Sequence, residues 1–150
     1  MQALNHQELA WAAGFFDGEG CIEITQAGHK SYCLRISICQ AINVFSQYKL
    51  AFGGCIRDYQ PKRSPRRQWE WEVHGQEAAT FLYLLRPVLI VKAKQADIAL
   101  EFYGWYSQVA GKGSTLSNHV LEKAAIYQRQ LRAERPRRGS PICEARGVKP

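Results

Sequence analysis

The feature that most constrains this chain is an apolar helix near its start that runs into glycines and carboxylates. Asn5 and Glu8 have the spacing of a capping box, which predicts that a helix begins here. The apolar run Leu9-Ala-Trp-Ala-Ala-Gly-Phe-Phe follows the cap. Gly18 and Gly20 should end the helix, because glycine sustains a helix poorly and suits a sharp exit. Alternating apolar and polar residues come directly afterwards, so the helix should lead straight into a strand.

One face of this helix carries only small residues. Ala10, Ala13, Gly14 and Asp17 are spaced at i, i+3, i+4 and i+7, a stripe that would let another backbone approach closely. Two carboxylates, Asp17 and Glu19, lie at the end of this stripe. Two copies of the helix packed along the stripe would bring acids from both copies together, which suits a shared metal site on a two-fold axis. The alternative is an ordinary buried helix whose acids are solvated.

Composition and charge restrict the class of protein. A chain of 150 residues that is 46% hydrophobic suits one domain with a core, and a net charge of +7 favours a polyanionic partner. Basicity alone does not choose between DNA, RNA and an anionic surface. The five cysteines form no CxxC pair and are expected to be reduced thiols. With no apolar signal region and no apolar run near the roughly 18 residues of a membrane span, we expect an intracellular protein without a membrane partner, in a bacterial cytoplasm or an organelle.

The rest of the chain reads as two hairpins, each followed by helix. Strands are predicted at about 21–27, 31–40, 55–60 and 68–74. Further helices are predicted at about 43–52, 76–85, 91–106 and 117–134. This order predicts an α+β domain over residues 1–134, with a four-stranded antiparallel sheet and an extra C-terminal helix. The basic tail, residues 135–150, is expected to be flexible when unbound and to contact phosphates when bound.

Alternation along the strands predicts a sheet with one core face and one open polar face. The open face mixes donors and acceptors of several kinds, which suits contacts with base edges in the major groove of DNA. The residues predicted to make such contacts are Glu23, Thr25, Arg35, Ser37, Arg57, Tyr59, Gln68, Glu70 and Glu72. Arg63, Arg66 and Arg67 in the basic loop are expected to contact phosphates instead. For any single one of these residues, a merely solvated strand face is as good an interpretation.

Residues 12–20, Ala-Ala-Gly-Phe-Phe-Asp-Gly-Glu-Gly, resemble the motif of the LAGLIDADG homing endonucleases. The predicted αββαββα order over about residues 5–106 is similar to the core of that family. The resemblance implies a site-specific endonuclease that cuts both strands of DNA with Mg²⁺ or another divalent cation such as Mn²⁺. Because the chain holds a single motif, the resemblance also implies a homodimer that packs through the motif helix and binds a long, partly palindromic target.

The resemblance also implies roles for individual residues. Glu19 is at the final acidic position of the motif, where Asp is commoner, and would bind metal with the main-chain carbonyl of Gly18. Asp17 matches the inner acid of the motif, which is usually structural. Gln40 would hydrogen-bond water near the metal, and Lys92 would stabilise charge on the phosphate or polarise water. A polar strand end and a solvated lysine are the alternatives, and relatives on this fold include RNA splicing maturases and DNA-binding proteins that do not cut.

Overall fold

A computed structural model describes residues 4–28, 30–60, 65–111 and 116–135. In chain order the elements are α1 (His6–Glu19), β1 (Gly20–Ala27), β2 (Ser31–Gln40), α2 (Ser46–Phe52), β3 (Cys55–Tyr59), β4 (Gln68–His74), α3 (Gly75–Leu85), a 3-10 turn (Arg86–Val88), α4 (Ala93–Val109) and α5 (Asn118–Ala133). This order confirms the predicted α+β class, the αββαββα core and the extra C-terminal helix. None of the described helices has the length and apolarity needed to cross a membrane.

Helix α1 begins as its sequence predicts but ends later. Asn5 Oδ1 accepts a hydrogen bond from the N–H of Glu8 at 2.9 Å, and Glu8 Oε2 accepts one from the N–H of Asn5 at 2.8 Å, completing the capping box. The expectation that Gly18 would end the helix was wrong, because the helix continues to Glu19. Gly20 starts β1 with ordinary extended dihedrals, so helix and strand join without a loop.

Gly20 has to be a glycine because α1 and β1 join so tightly. A Cβ atom at this position would lie 2.0 Å from Cδ2 of Phe16 and 2.6 Å from the main-chain oxygen of Phe16. Since the second of these atoms belongs to the backbone, a side-chain rotation cannot relieve the clash. The close approach sets the angle at which the strand leaves the helix.

The four strands form one antiparallel sheet in the order β1-β2-β4-β3. The register aligns Ile22, Ile36 and Val73 across three strands, and all three side chains are buried. One residue further along, Glu23 aligns with Arg35 on the opposite face. The predicted division into a core face and a polar face is therefore confirmed. The four cysteines of the described part, Cys21, Cys33, Cys39 and Cys55, are free thiols within strands, and Cys143 lies outside it.

Helices α1, α3 and α4 cover the core face, where aromatic rings fill the space between helices and sheet. Phe16 and Phe81 meet edge to face with ring centroids 4.9 Å apart, and Tyr48 meets Trp71 at 5.0 Å. The buried hydroxyl of Tyr48 donates a hydrogen bond to the main-chain oxygen of Ala12 at 2.6 Å, which ties α2 to α1. Burial raises the pKa of Tyr48, so this hydroxyl stays protonated and keeps donating.

The C-terminal helix α5 closes the outer edge of β1. Gln128 Nε2 donates to the main-chain oxygen of Ile24 at 2.6 Å, and Arg135 donates to that of Ile22 at 3.0 Å. These side chains satisfy carbonyl groups that an edge strand would otherwise leave unpaired in the protein. Arg135, the first residue of the predicted tail, is thus hydrogen-bonded to the sheet, and residues 136–150 lie outside the described part.

Replacing Gly20 by Ala should destabilise the fold, whereas the same change at Gly104 should not. At Gly20 the added methyl overlaps Phe16, and such overpacking typically costs about 1–3 kcal/mol of unfolding free energy. At Gly104, within α4, a Cβ meets nothing within 4 Å, and alanine favours a helix over glycine by about 0.5–1 kcal/mol. Urea denaturation followed by circular dichroism measures both changes, and equal effects of the two substitutions would contradict the close approach at Gly20.

Candidate active site and nucleic-acid interface

The end of α1 is tied to the start of α4 by the carboxylate of Asp17. Oδ2 accepts hydrogen bonds from the N–H groups of Ile90 at 2.7 Å and Val91 at 3.1 Å, and Oδ1 accepts one from the N–H of Lys92 at 2.9 Å. These N–H groups precede Ala93, the first residue of α4, where helix geometry supplies no acceptor for them. Asp17 therefore fixes the segment 90–92 against the end of α1.

The side chain of Lys92 turns back towards the same helix end. Its ammonium donates to the main-chain oxygen of Asp17 and lies 5.9 Å from the ring centroid of Phe16. Burial lowers the pKa of Lys92, and the negative charges of Asp17, Cys21 and Glu19 oppose that shift only in part. The structure thus brings a half-buried ammonium close to the carboxylates at the end of α1.

Glu19 is the last residue of α1 and is exposed, as is Gly18 before it. The C-terminal end of a helix carries partial negative charge, and the last turn of α1 holds no basic residue to balance it. A carboxylate at this point therefore adds to a negative potential that attracts cations. Carboxylate and carbonyl oxygens are the ligands that Mg²⁺ prefers, so Glu19 and Gly18 fit the implied metal.

One chain alone offers few further ligands. Within the described ranges, no group of three or more His, Cys, Asp or Glu side chains is placed to hold a single metal ion. Glu19 and the carbonyl of Gly18 supply two oxygens, whereas Mg²⁺ takes about six. The remaining ligands would have to come from water, from a bound phosphate or from a second chain.

Gln40 lies at the end of β2 that is nearest to Glu19. Ile38 pairs with Gly20 across the two strands, so Gln40 is two residues beyond this pair and on the same face of the sheet. It pairs on its other side with Trp69 and is half-buried. The register therefore directs Glu19 and Gln40 to one end of the sheet.

The predicted stripe of small residues is only partly exposed. Ala10 and Gly14 are exposed, but Ala13 is buried in the chain's own core and Asp17 is occupied by the segment 90–92. Gly18 extends the exposed part, because a Cβ at either Gly14 or Gly18 would meet nothing within 4 Å. Sequence reasoning missed Gly18 as part of this stripe because it placed the helix end there.

Two large apolar side chains stand beside this stripe. Ile90 is 85% exposed and Val91 is also exposed, although both lie in the segment that Asp17 holds. No pattern in the sequence singles them out, since a connection between helices is usually exposed. Their contact with Asp17 puts them next to α1.

Charged residues in the centre of the open face are joined in one network. Arg35 donates to Glu23 at 2.9 Å, to Glu70 at 2.6 Å and to Glu72 at 2.9 Å. Arg57 reaches Glu70 at 3.3 Å and Glu72 at 2.5 Å. Burial raises the pKa of Glu72, but the hydrogen bond and charge of Arg35, with the charges of Arg57 and His74, outweigh it and lower that pKa below its usual value.

The polar residues around this network differ in how accessible they are. Ser37 is buried, and the hydroxyl of Thr25 donates to the main-chain oxygen of Cys33 at 3.2 Å. Tyr59 is exposed, and its hydroxyl donates to Gln68 at 3.4 Å. Of the predicted phosphate contacts, Arg66 and Arg67 are exposed, Arg67 forms an ion pair with Asp58, and Arg63 lies outside the described residues.

The chain matches no family model and no curated protein sequence. Its structure, however, is similar to that of the homing endonuclease I-CvuI in complex with its target in the presence of 2 mM Ca: the TM-score is 0.67, the sequences are 21% identical, and the match covers 86% of this chain and 82% of I-CvuI. It is also similar to the archaeal intron-encoded homing endonuclease I-Vdi141I complexed with DNA, with a TM-score of 0.69, 18% identity, and coverage of 87% and 86%.

The class that this architecture defines is that of the homing endonuclease folds. The LAGLIDADG homing endonuclease I-SmaMI, bound to cleaved DNA, matches with a TM-score of 0.60 and 16% identity over 90% of this chain and 47% of its own. The chain therefore has the fold of the LAGLIDADG homing endonucleases. The resemblance found in residues 12–20 is confirmed at the level of the fold.

Replacing Asp17 by asparagine should destabilise the protein far more than the same change at Asp97. The new amide group would face three N–H donors with one acceptor oxygen, and a donor left unpaired away from water costs about 1–3 kcal/mol. Asp97 pairs with Arg86 on the exposed surface, where an ion pair is worth about 0–1 kcal/mol. Urea denaturation compares the two variants, and equal losses of unfolding free energy would show that Asp17 does not hold the segment 90–92.

Proposed function

We propose that the protein is a metal-dependent, site-specific endonuclease that cuts both strands of double-stranded DNA as a homodimer. The observation that carries this proposal is the half-buried ammonium of Lys92, fixed by Asp17 near the exposed carboxylate of Glu19. Phosphodiester hydrolysis needs both kinds of group, because negative charge builds up on the phosphate while the metal requires an anionic ligand. The homing endonucleases with the same fold that were solved with DNA support the choice of substrate.

Each residue has a separate task in this mechanism. Glu19 and the carbonyl of Gly18 hold a divalent cation, Mg²⁺ or another such as Mn²⁺, which neutralises phosphate charge and makes a bound water more acidic. Lys92 donates a proton-bearing N–H to a phosphate oxygen on which charge develops. Gln40 donates and accepts hydrogen bonds to orient the attacking water. In support of a divalent cation, I-CvuI was studied on DNA with 2 mM Ca and with 2 mM Mg.

Several features favour a second copy of the chain as the partner at this site. Ala10, Gly14 and Gly18 offer a surface without side chains beyond Cβ, along which an identical helix can approach closely. Ile90 and Val91 would bury their exposed side chains beside it. A two-fold axis here would give one Glu19 to each DNA strand. The match to about half of I-SmaMI, 47% of its length, agrees with two copies forming the complete enzyme.

Selection from random duplex DNA tests the whole proposal. Protein is bound to the pool in Ca²⁺, bound DNA is retained, and Mg²⁺ is then added so that released fragments can be sequenced. We expect one long, partly palindromic sequence, cut on both strands. Specific retention without cutting would instead assign a DNA-binding protein that does not cut, and no enrichment would favour an RNA splicing maturase, to be tested by binding to intron RNA.

Replacing Glu19 by Gln should abolish cutting of the selected DNA without abolishing binding. The substitution keeps the shape of the side chain but removes the anionic ligand, so the cleavage rate in Mg²⁺ should fall about 100-fold or more. Glu122→Gln removes the same charge from the exposed surface of α5 and should leave the rate unchanged. If Glu19→Gln cuts at the rate of the original protein, the metal site is elsewhere.

Replacing Gly14 by Leu should convert the dimer to a monomer. The open space around Gly14 admits the side chain within one chain, but leucine would separate two helices that meet along this face. Gly104→Leu, in the equally open space on α4, should stay dimeric. Sedimentation velocity gives the oligomeric state, and circular dichroism checks that both variants are folded. A dimeric Gly14→Leu protein would exclude α1 as the interface.

A further inference from the structure

The charged residues at the centre of the open face divide into those whose polar atoms are already occupied and one whose are not. Resting on the proposed function, we propose that Arg57 reads a guanine in each half of the DNA target, and that Glu70, Glu72 and Arg35 position its side chain. The other charged residues of this set would then contribute to specificity only through Arg57.

Arg35 is poorly placed to contact a base. Its side chain is only 21% exposed, and its Nε, Nη1 and Nη2 atoms each donate to a carboxylate. A base could bind this guanidinium only by displacing acids that are themselves largely buried, and the displaced acids would lose their charge partner. Arg35 therefore acts as the fixed cation that holds the glutamates in place.

Glu70 and Glu72 are equally occupied. Glu70 bonds Arg35 through Oε1 and Arg57 through Oε2, and Glu72 bonds Arg35 through Oε2 and Arg57 through Oε1. Both oxygens of each carboxylate thus bind guanidinium groups. Their side chains are 11% and 8% exposed, which leaves little surface for a cytosine amino group to reach. This excludes them as the direct base contacts that alternation along β4 had suggested.

Arg57 has the opposite character. Its side chain is 55% exposed, and both of its ion pairs use Nη2. Among the described residues, Nε and Nη1 make no hydrogen bond, so the guanidinium keeps donors for a further acceptor. Guanine O6 and N7, side by side in the major groove, accept two parallel N–H groups from arginine, which is the commonest base-specific contact in DNA complexes.

The two glutamates also explain why this arginine would discriminate well. An exposed arginine has many rotamers, and ordering it on binding reduces affinity. Ion pairs to two largely buried carboxylates restrict the guanidinium before DNA arrives. Lysine, with a single ammonium group, could keep the charge at this position but could not present two parallel donors. Substitutions to lysine and alanine therefore separate base reading from simple charge.

The test measures binding in Ca²⁺ to the selected sequence and to its single base-pair variants. For the original protein, one guanine per half-site should be preferred by about tenfold or more over other bases at that position. Arg57→Ala and Arg57→Lys should both lose this preference while keeping those at other positions. Arg129→Ala, which removes an exposed charge from α5, should keep all of them. Preferences unchanged in Arg57→Ala would overturn the inference.

Glutamine variants test the positioning role. Glu72→Gln and Glu70→Gln should weaken the preference at the same guanine, and should change nothing further in a protein that already carries Arg57→Ala. A changed preference at another base pair would mean that the glutamate contacts DNA itself. If the original protein selects no sequence, the proposed function fails and this inference with it; if it selects a sequence whose guanines are indifferent to Arg57, only this inference fails.

Discussion

The arrangement of the candidate site depends on one carboxylate. Asp17 accepts hydrogen bonds from three consecutive N–H groups, and these belong to the residues just before α4. The start of a helix presents unpaired donors and partial positive charge, and both are stabilised by an anion. The same contact holds Lys92 over the end of α1. Of the two acids at this helix end, one is therefore engaged by the fold, and Glu19 remains exposed for a cation.

Local rules explain which parts of the fold could be predicted from the sequence. The capping box of Asn5 and Glu8 involves neighbours three residues apart, and Gly53 ends α2 with a φ of 75° that glycine readily adopts. Strand alternation likewise depends only on period two. The contact of Asp17 with Lys92 joins residues 75 positions apart, so composition and spacing could not reveal it. The family resemblance pointed to Lys92, but not to the carboxylate that positions it.

The open face shows a similar limit. Alternation correctly assigned Arg35, Glu70 and Glu72 to this face, but it could not show that they bind one another, because that depends on strand order and register. The chain has a net charge of +7, yet the centre of the face pairs its arginines with glutamates. Buried ion pairs add little net stability, since desolvation offsets attraction, but they restrict geometry. A face built this way suits selective contacts at its centre better than general attraction to phosphates.

The extra helix α5 belongs to this face as well as to the core. Arg135 bonds both the main-chain oxygen of Ile22 and the carboxylate of Glu23, and Glu23 in turn binds Arg35. The chain of contacts thus runs from the end of α5 through β1 to the centre of the sheet. Gln128 adds a second bond to β1 at Ile24. Because β1 follows α1 without a loop, the helix that closes the strand's outer edge also restrains the strand that begins next to Glu19. The C-terminal helix therefore supports both ends of the proposed function, the metal-binding helix end and the face that reads DNA.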